Sequence, residues 1–136
     1  KLHEQAQQLG FGNLHMLGSL PDEDKAALLT LSQAFVFPSH LRSEAFGISL
    51  LEGAMFGKAL ISCEIGTGTT FINVADETGL VVPPRDPLAL RHAMLRFQHE
   101  PELAARMGDK AALRFKQLFR AESMLSAYAN LYRELV

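Results

Sequence analysis

Two glutamates eight positions apart are the residues in this sequence best suited to chemistry. Glu44 lies in a polar, charged stretch, and Glu52 lies among small and apolar residues. Because an unpaired ionised carboxylate is costly among apolar side chains, Glu52 needs partners. Hydroxyl groups of a ligand such as a sugar would serve, and so would a basic residue, for which Lys58 and Arg42 are the candidates. For Glu44 the alternative to a functional role is that of an ordinary solvated carboxylate in a surface loop.

The spacing of these glutamates suits one ligand with two ends. Eight steps of about 100° nearly complete whole turns of an α-helix. If the segment is helical, both carboxylates lie toward one side, a little over two turns apart.

Backbone N–H groups offer a second kind of binding function. The polar stretch runs into an apolar segment, Gly47 to Phe56, which predicts a buried helix. The first N–H groups of that helix, from Gly47 to Leu50, would lack intrahelical partners and carry the positive end of the helix dipole. An anionic group such as a diphosphate would bind there.

Strands must flank this helix to position it. The short apolar runs Ala34–Phe37 and Ala59–Ser62 are typical of strands buried on both faces of a parallel sheet. The interval between them suits a right-handed βαβ crossover. A glycine-containing loop, Gly66 to Thr69, then leads to a short helix over Phe71–Val74 and a third strand over Gly79–Val82.

The alternation of strands and helices predicts a three-layer α/β fold with a doubly wound, Rossmann-like parallel sheet, in a single domain over residues 1–136. Ligands of such sheets bind beyond the carboxyl ends of the strands, here 38–47, 63–70 and 83–86. The remaining predicted elements are a strand over 13–17 and helices over 2–9, 21–31, 87–98 (capped by Asp86), 101–119 and 121–135.

Composition narrows the function classes. The 13 basic and 15 acidic residues are spread along the chain and form no basic footprint for nucleic acid. The single cysteine, Cys63, allows neither an intrachain disulfide nor a CxxC site. The five histidines lack the spacing of metal ligands, so we expect no metal.

The single cysteine fits a reducing compartment and so favours a cytoplasmic location. No apolar run reaches the roughly 20 residues that cross a bilayer. The sequence opens without methionine, within a predicted helix, so we expect a fragment of a longer polypeptide.

An ordered set of segments carries a family resemblance. Its parts are Phe37-Pro38-Ser39, the run from Ser43 to Lys58 with both glutamates, and Thr78 to Pro84. Together they resemble the EX7E signature and flanking segments of family-4 retaining glycosyltransferases, which have the two-domain GT-B fold. The likeness covers nearly the whole chain and implies the C-terminal, donor-binding domain.

The resemblance implies a retaining hexosyltransferase that moves a sugar from a nucleotide diphosphate to a glycan or lipid-linked acceptor, without metal or other cofactor. Glu44 would be the catalytic residue, contacting donor-sugar hydroxyls and stabilising positive charge on the ring. Glu52 would accept from the ribose hydroxyls. The implied donor-binding residues are, besides Glu52, Ser39, Phe46, Gly47, Ile48, Thr67, Gly68 and, around the base, Leu17, Gly18, Ser19 and Leu20.

Two departures from the family pattern matter. Thr67-Gly68 and Phe71 stand where the family has paired glycines and an acidic residue, and Gly66 and Gly68 equally suit a plain tight turn. This variant is similar to bacterial O-antigen mannosyl- and rhamnosyltransferases, which favours GDP-mannose as donor.

The family's first two strands, with a basic pair for the diphosphate, and its acceptor domain are missing from the sequence. We therefore expect weak donor binding and no turnover from these residues alone, and peripheral membrane association of the full-length protein. The alternatives are a non-catalytic nucleotide-sugar-binding module and, less suited to these residues, an epimerase or phosphorylase.

Overall fold

The computed structural model describes residues 2–135. Three strands, β1 (Ala34–Phe37), β2 (Ala59–Cys63) and β3 (Gly79–Val82), form a parallel sheet in the order β1-β2-β3. The helices are α1 (Leu2–Gln8), α2 (Asp22–Leu31), α3 (Ile48–Met55), α4 (Thr69–Ile72), α5 (Pro87–His99), α6 (Pro101–Leu118) and α7 (Ala121–Glu134).

Helices cover both faces of the sheet, as the alternating pattern predicts. Ala59, Ile61 and Cys63 of β2 share one core cluster with buried residues of α5 and α6. Leu60 of β2 packs on the other face with Leu50 of α3 and Ile72 of α4. The three-layer, Rossmann-like parallel fold is therefore confirmed.

The strands differ in burial more than the sequence predicts. All five residues of β2 are buried, as expected for a central strand. The four residues of β1 are only half-buried, so the prediction of burial on both faces is wrong for β1. Within residues 2–135, β1 is an edge strand, because β2 is its only strand neighbour.

The βαβ crossover from β1 through α3 to β2 forms as predicted, with parallel pairing of Ala34 with Ala59. Close contact of α3 with the sheet depends on Gly53, where a Cβ atom would lie 2.8 Å from the Cγ of Phe35. A larger side chain at residue 53 would push α3 away from β1 and shift the loop that leads into it.

Two local predictions are wrong. Residues 13–17 form no strand, and Leu14, Met16 and Leu17 are exposed. A strand needs a hydrogen-bonded neighbour, and none of the described residues provides one for this segment. The short helix α4 begins at Thr69 rather than Phe71 and ends before Asn73, whose backbone is extended.

Asn73 is fully buried and explains where α4 stops. Its side-chain amide donates to the Ser62 hydroxyl at 2.9 Å and to the Leu80 carbonyl at 3.1 Å, and its oxygen accepts from the Thr78 hydroxyl at 3.1 Å. This network ties the end of α4 to β2 and β3, and the sequence gives no periodic signal for it.

The closing helices agree with the predicted pattern. The Asp86 carboxylate caps α5 by accepting from the amides of Leu88 and Ala89. On α7 none of the described residues is buried, and its apolar face is exposed, comprising Leu125, Tyr128, Leu131, Tyr132 and Leu135. Among residues 2–135, no helix combines the length and apolar character that crossing a membrane requires.

Candidate functional site

The loop after β1 carries Glu44 to the start of α3. The half-buried Glu44 carboxylate accepts a hydrogen bond from the Gly47 amide at 2.9 Å. Gly47 has a φ of +90°, and a Cβ atom there would lie 3.1 Å from Leu50 and 3.2 Å from Thr69. Only glycine suits that conformation and space, so residue 47 fixes the angle at which the loop enters α3.

Two of the four amides expected to be free are engaged. Gly47 donates to Glu44, and Leu50 donates to the Gly47 carbonyl at 2.9 Å. The amides of Ile48 and Ser49 have no hydrogen-bond partner among residues 2–135. The positive end of α3 therefore retains two donors for a ligand, next to the Glu44 carboxylate.

The two glutamates do not share one helix. Because α3 begins at Ile48 and the left-handed Gly47 precedes it, Glu44 lies outside the helical repeat. The prediction that Glu44 lies in the loop is confirmed, but the step of about 100° per residue does not relate its carboxylate to that of Glu52, so the argument that helical spacing puts both on one side is wrong. Glu52 lies one turn into α3, and Glu44 is held at its start by its bond to Gly47.

Glu52 has a protein partner that the sequence does not reveal. Its Oε1 accepts from Lys25 Nζ of α2 at 3.0 Å, and the Glu52 side chain is 37% exposed. Lys58 instead donates to the Thr30 carbonyl, and Arg42 lies against Gly66, so neither expected partner pairs with Glu52. The 27-residue separation of Lys25 from Glu52 leaves no local spacing signal.

Lys25 is held by two carboxylates. It contacts Asp22 at 3.2 Å in addition to Glu52. The hydrogen bonds to Glu52 and then to Asp22 raise the pKa of Lys25 above its ordinary value, so this lysine is charged throughout the neutral range.

The loop after β2 packs on the Glu44 loop. The Gly68 amide donates to the Ala45 carbonyl at 2.9 Å, and a Cβ atom at residue 68 would lie 2.6 Å from the Phe46 ring. The Thr67 and Thr69 hydroxyls lie 3.3 Å apart. The structure thus brings Thr67 and Gly68 beside Phe46 and gives Gly68 a packing role.

A cluster of aromatic rings and one guanidinium joins these loops to α6. Phe119 makes edge contacts with Phe46 and Phe71, with ring centroids 6.2 and 5.7 Å apart. The Arg114 guanidinium lies 5.0 Å from the Phe71 ring centroid and donates to the Phe71 carbonyl at 2.6 Å. Sequence reasoning missed this cluster, because its members come from separate elements.

The three predicted crevice segments converge at the carboxyl edge of the sheet. A cavity of about 190 Å³ lies there and takes wall residues from all three, including Pro38, Cys63 and Pro83. Burial raises the pKa of the Cys63 thiol, which disfavours its thiolate. The cavity wall also contains the polar side chains of His40, Arg85 and Asp86.

The predicted base-binding segment, residues 17–20, is not connected to the Glu44 loop by the polar contacts of residues 2–135. Leu17 and Gly18 are exposed, Gly18 has a φ of +70°, and Leu20 is half-buried just before α2. No hydrogen bond or ion pair within residues 2–135 connects the 17–20 segment to the Glu44 loop. Ser39 is half-buried, two residues beyond the end of β1.

Residues 2–135 contain no group of three or more histidine, cysteine or acidic side chains placed to hold a metal ion.

Comparison with known proteins places this geometry in a family. The family model described as glycosyl transferases group 1 matches residues 1–114. The chain is 61% identical to D-rhamnosyltransferase WbpZ of Pseudomonas aeruginosa over 121 residues, covering 89% of this chain and 32% of that protein. It is 50% identical to O-antigen chain mannosyltransferase C of Escherichia coli over 136 residues, covering 100% of this chain and 37% of that protein.

A solved structure supports the same fold. Sucrose-phosphate synthase from Thermosynechococcus elongatus superposes with a TM-score of 0.87 at 29% identity, over 98% of this chain and 33% of that chain. The chain thus spans about a third of the length of the proteins it matches. The matched family model and the Rossmann-like parallel sheet agree, and the chain belongs to the group 1 glycosyl transferase family of GT-B fold.

Proposed function

We propose that this chain is the donor-binding part of a retaining hexosyltransferase that builds a cell-surface polysaccharide. The observation that carries the proposal is the start of α3, where the Glu44 carboxylate lies beside the unpaired amides of Ile48 and Ser49. A negative group and two N–H donors at one sheet edge suit a ligand that carries a sugar on a diphosphate.

These groups match the charges that develop in sugar transfer. As the bond from the anomeric carbon to the diphosphate oxygen breaks, positive charge develops on the sugar ring and negative charge on the leaving group. The Glu44 carboxylate would stabilise the ring, while the amides of Ile48 and Ser49 and the α3 dipole would stabilise the diphosphate. The acceptor hydroxyl would then bond to the anomeric carbon on the face that the diphosphate leaves, with retention, and its proton would pass to the departing diphosphate oxygen.

The rest of the donor has proposed contacts along α3 and its neighbours. Glu52 would accept from the ribose hydroxyls, and the 17–20 segment would contact the base. GDP-mannose is the proposed donor sugar nucleotide; the name of one relative, a mannosyltransferase, supports the sugar, while the other relative is named for rhamnose. We propose that no metal takes part, since backbone amides serve the diphosphate.

The acceptor would be a glycan or lipid-linked glycan held by parts of the protein outside residues 1–136. We propose that the full-length protein works in the cytoplasm and meets a lipid-linked acceptor at the inner face of the membrane. On this view residues 1–136 bind the donor weakly and do not turn it over alone.

A non-catalytic nucleotide-sugar-binding module is the second candidate. The bond from Gly47 to Glu44 favours it, because a carboxylate that caps α3 has a structural reason to be there without any chemistry.

Calorimetric titration of the full-length protein with GDP, UDP, GDP-mannose and UDP-glucose tests donor binding, and a transfer assay with an acceptor separates the two candidates. We expect one base to be preferred and sugar to be transferred. Binding without transfer would leave the binding module, and no binding of any of the four at millimolar concentration would overturn both.

A further inference from the structure

Lys25 reaches Glu52 across the contact between α2 and α3. Its Nζ donates to Oε1 of Glu52 at 3.0 Å, and the two side chains are 43% and 37% exposed. Among residues 2–135, no partner is found for the other carboxylate oxygen, Oε2. One oxygen of Glu52 is therefore held by the protein while the other is available as an acceptor.

The surroundings of the pair explain why a tether matters. A cavity of about 240 Å³ lies between α2 and α3, and Lys25, Asp22 and Glu52 are its charged lining residues. The other lining residues are apolar: Ala26, Leu29, Met55 and Phe56. None of these apolar side chains can hydrogen-bond a carboxylate, so without Lys25 the Glu52 side chain would turn toward water and lose a fixed orientation.

The charge of Lys25 also suits an anionic ligand. An isolated Glu52 carboxylate would repel a nucleoside diphosphate. In the ion pair, the positive charge of Lys25 offsets most of this repulsion, while the carboxylate can still accept a hydrogen bond. Asp22 shares Lys25 but is 97% exposed, so water and salt screen its charge more than that of Glu52.

We infer that Lys25 is the positioning residue for Glu52, holding Oε1 so that Oε2 accepts from the vicinal hydroxyls of the nucleotide ribose. This inference rests on the proposed function, in which Glu52 binds the ribose. It adds a residue of α2, outside the segment between the two glutamates, to the determinants of nucleotide recognition.

The test compares GDP with 2′-deoxy-GDP by calorimetric titration of the full-length protein, with UDP and 2′-deoxy-UDP as the second pair. A hydrogen bond to a charged acceptor is worth about tenfold or more in affinity, so the wild-type protein should bind the ribonucleotide about tenfold more tightly. Lys25→Met should bring this ratio close to one: the uncompensated charge of Glu52 should weaken both nucleotides, and loss of the oriented acceptor should weaken the ribonucleotide about tenfold more. Lys25→Arg, which keeps a cation, should restore most of the ratio.

Two further variants serve as controls. Lys110→Met removes an exposed lysine of α6 and should leave the ratio unchanged. Asp22→Asn frees Lys25 for Glu52 alone and should keep or raise the ratio, which gives a readout even where Lys25→Met does not fold. Thermal unfolding establishes that each titrated variant is folded.

The outcomes separate this inference from the proposed function. A folded Lys25→Met protein with the wild-type ratio would show that Lys25 only joins two helices, and a fall in the ratio for Asp22→Asn would likewise count against the inference. Equal affinity of the wild-type protein for the ribo- and deoxynucleotide would refute the ribose contact, and the inference about Lys25 would fail with it. A wild-type protein that binds neither GDP nor UDP would instead refute the proposed function.

Discussion

Replacing Glu44 separates its contact with the protein from its proposed contact with the donor sugar. The glutamine amide of Glu44→Gln still offers an oxygen to the Gly47 amide, which lies 2.9 Å from the carboxylate in the native protein. Glu44→Ala removes both the charge and that acceptor. The pair of variants therefore distinguishes a helix cap from an electrostatic catalyst.

The expected magnitudes differ for stability and rate. Loss of a capping acceptor costs about 1 kcal/mol, so Glu44→Ala should lower the free energy of unfolding by about that amount and Glu44→Gln by much less. Loss of a preorganised charge opposite the developing ring charge should lower kcat by about 10²- to 10³-fold in both variants. GDP lacks the transferred sugar, so its affinity should change little in Glu44→Gln.

Urea unfolding, GDP titration and initial transfer rates of the full-length protein measure these quantities side by side. Glu77→Gln is a matched control, because Glu77 is exposed in the turn before β3. Transfer by Glu44→Gln within about twofold of wild type would refute the catalytic role, since the transition-state term of about 3 kcal/mol would then be absent. Equal weakening of GDP and GDP-mannose by Glu44→Gln would refute the assignment of Glu44 to the sugar.

Three other predictions concern nucleotide recognition, the reactivity of the Cys63 thiol and the stability of the fold. Glu52→Gln should weaken GDP and GDP-mannose by the same factor in titrations, and a loss confined to GDP-mannose would contradict a ribose contact. Because burial raises the pKa of Cys63, its thiol should be more protonated at pH 8 than that of free cysteine and should react more slowly with iodoacetamide until denaturant exposes it. Labelling of the native protein at the rate of free cysteine would contradict this. Asn73→Ala should lower the free energy of unfolding by about 3 kcal/mol, because it leaves buried hydroxyl and carbonyl partners unsatisfied. A urea midpoint unchanged from wild type would show that these groups find other partners.

The elements that local chemistry determines could be predicted from the sequence. A short apolar run bounded by turn residues predicts β2, and Asp86 followed by Pro87 predicts the start of α5, because each signal acts over a few neighbouring residues. The candidate site loop was located in the same way, from its position after an apolar strand. No such local signal distinguishes a central strand from an edge strand, so the apolar run of β1 predicts more burial than the structure has.

The features of the candidate site that could not be predicted from the sequence depend on contacts between elements that are distant in the chain. Helical spacing does not describe how Glu44 is placed relative to Glu52, because nothing in the sequence pattern shows that Gly47 adopts a left-handed conformation before α3. The partner of Glu52 was sought among nearby basic residues, whereas α2 supplies Lys25 from 27 positions away. Both errors concern how a functional group is oriented, which packing decides after the elements have formed.

Packing also explains why the start of α3 is ready for a ligand. The Gly68 amide donates to the Ala45 carbonyl of the Glu44 loop, and Phe119, just after α6, contacts the rings of Phe46 in that loop and Phe71 in α4. Because protein contacts already hold both loops, the amides of Ile48 and Ser49 keep their positions before any donor arrives. Binding of the proposed donor would then cost little ordering of the backbone, and more of the interaction energy would remain available for the transition state of the proposed transfer.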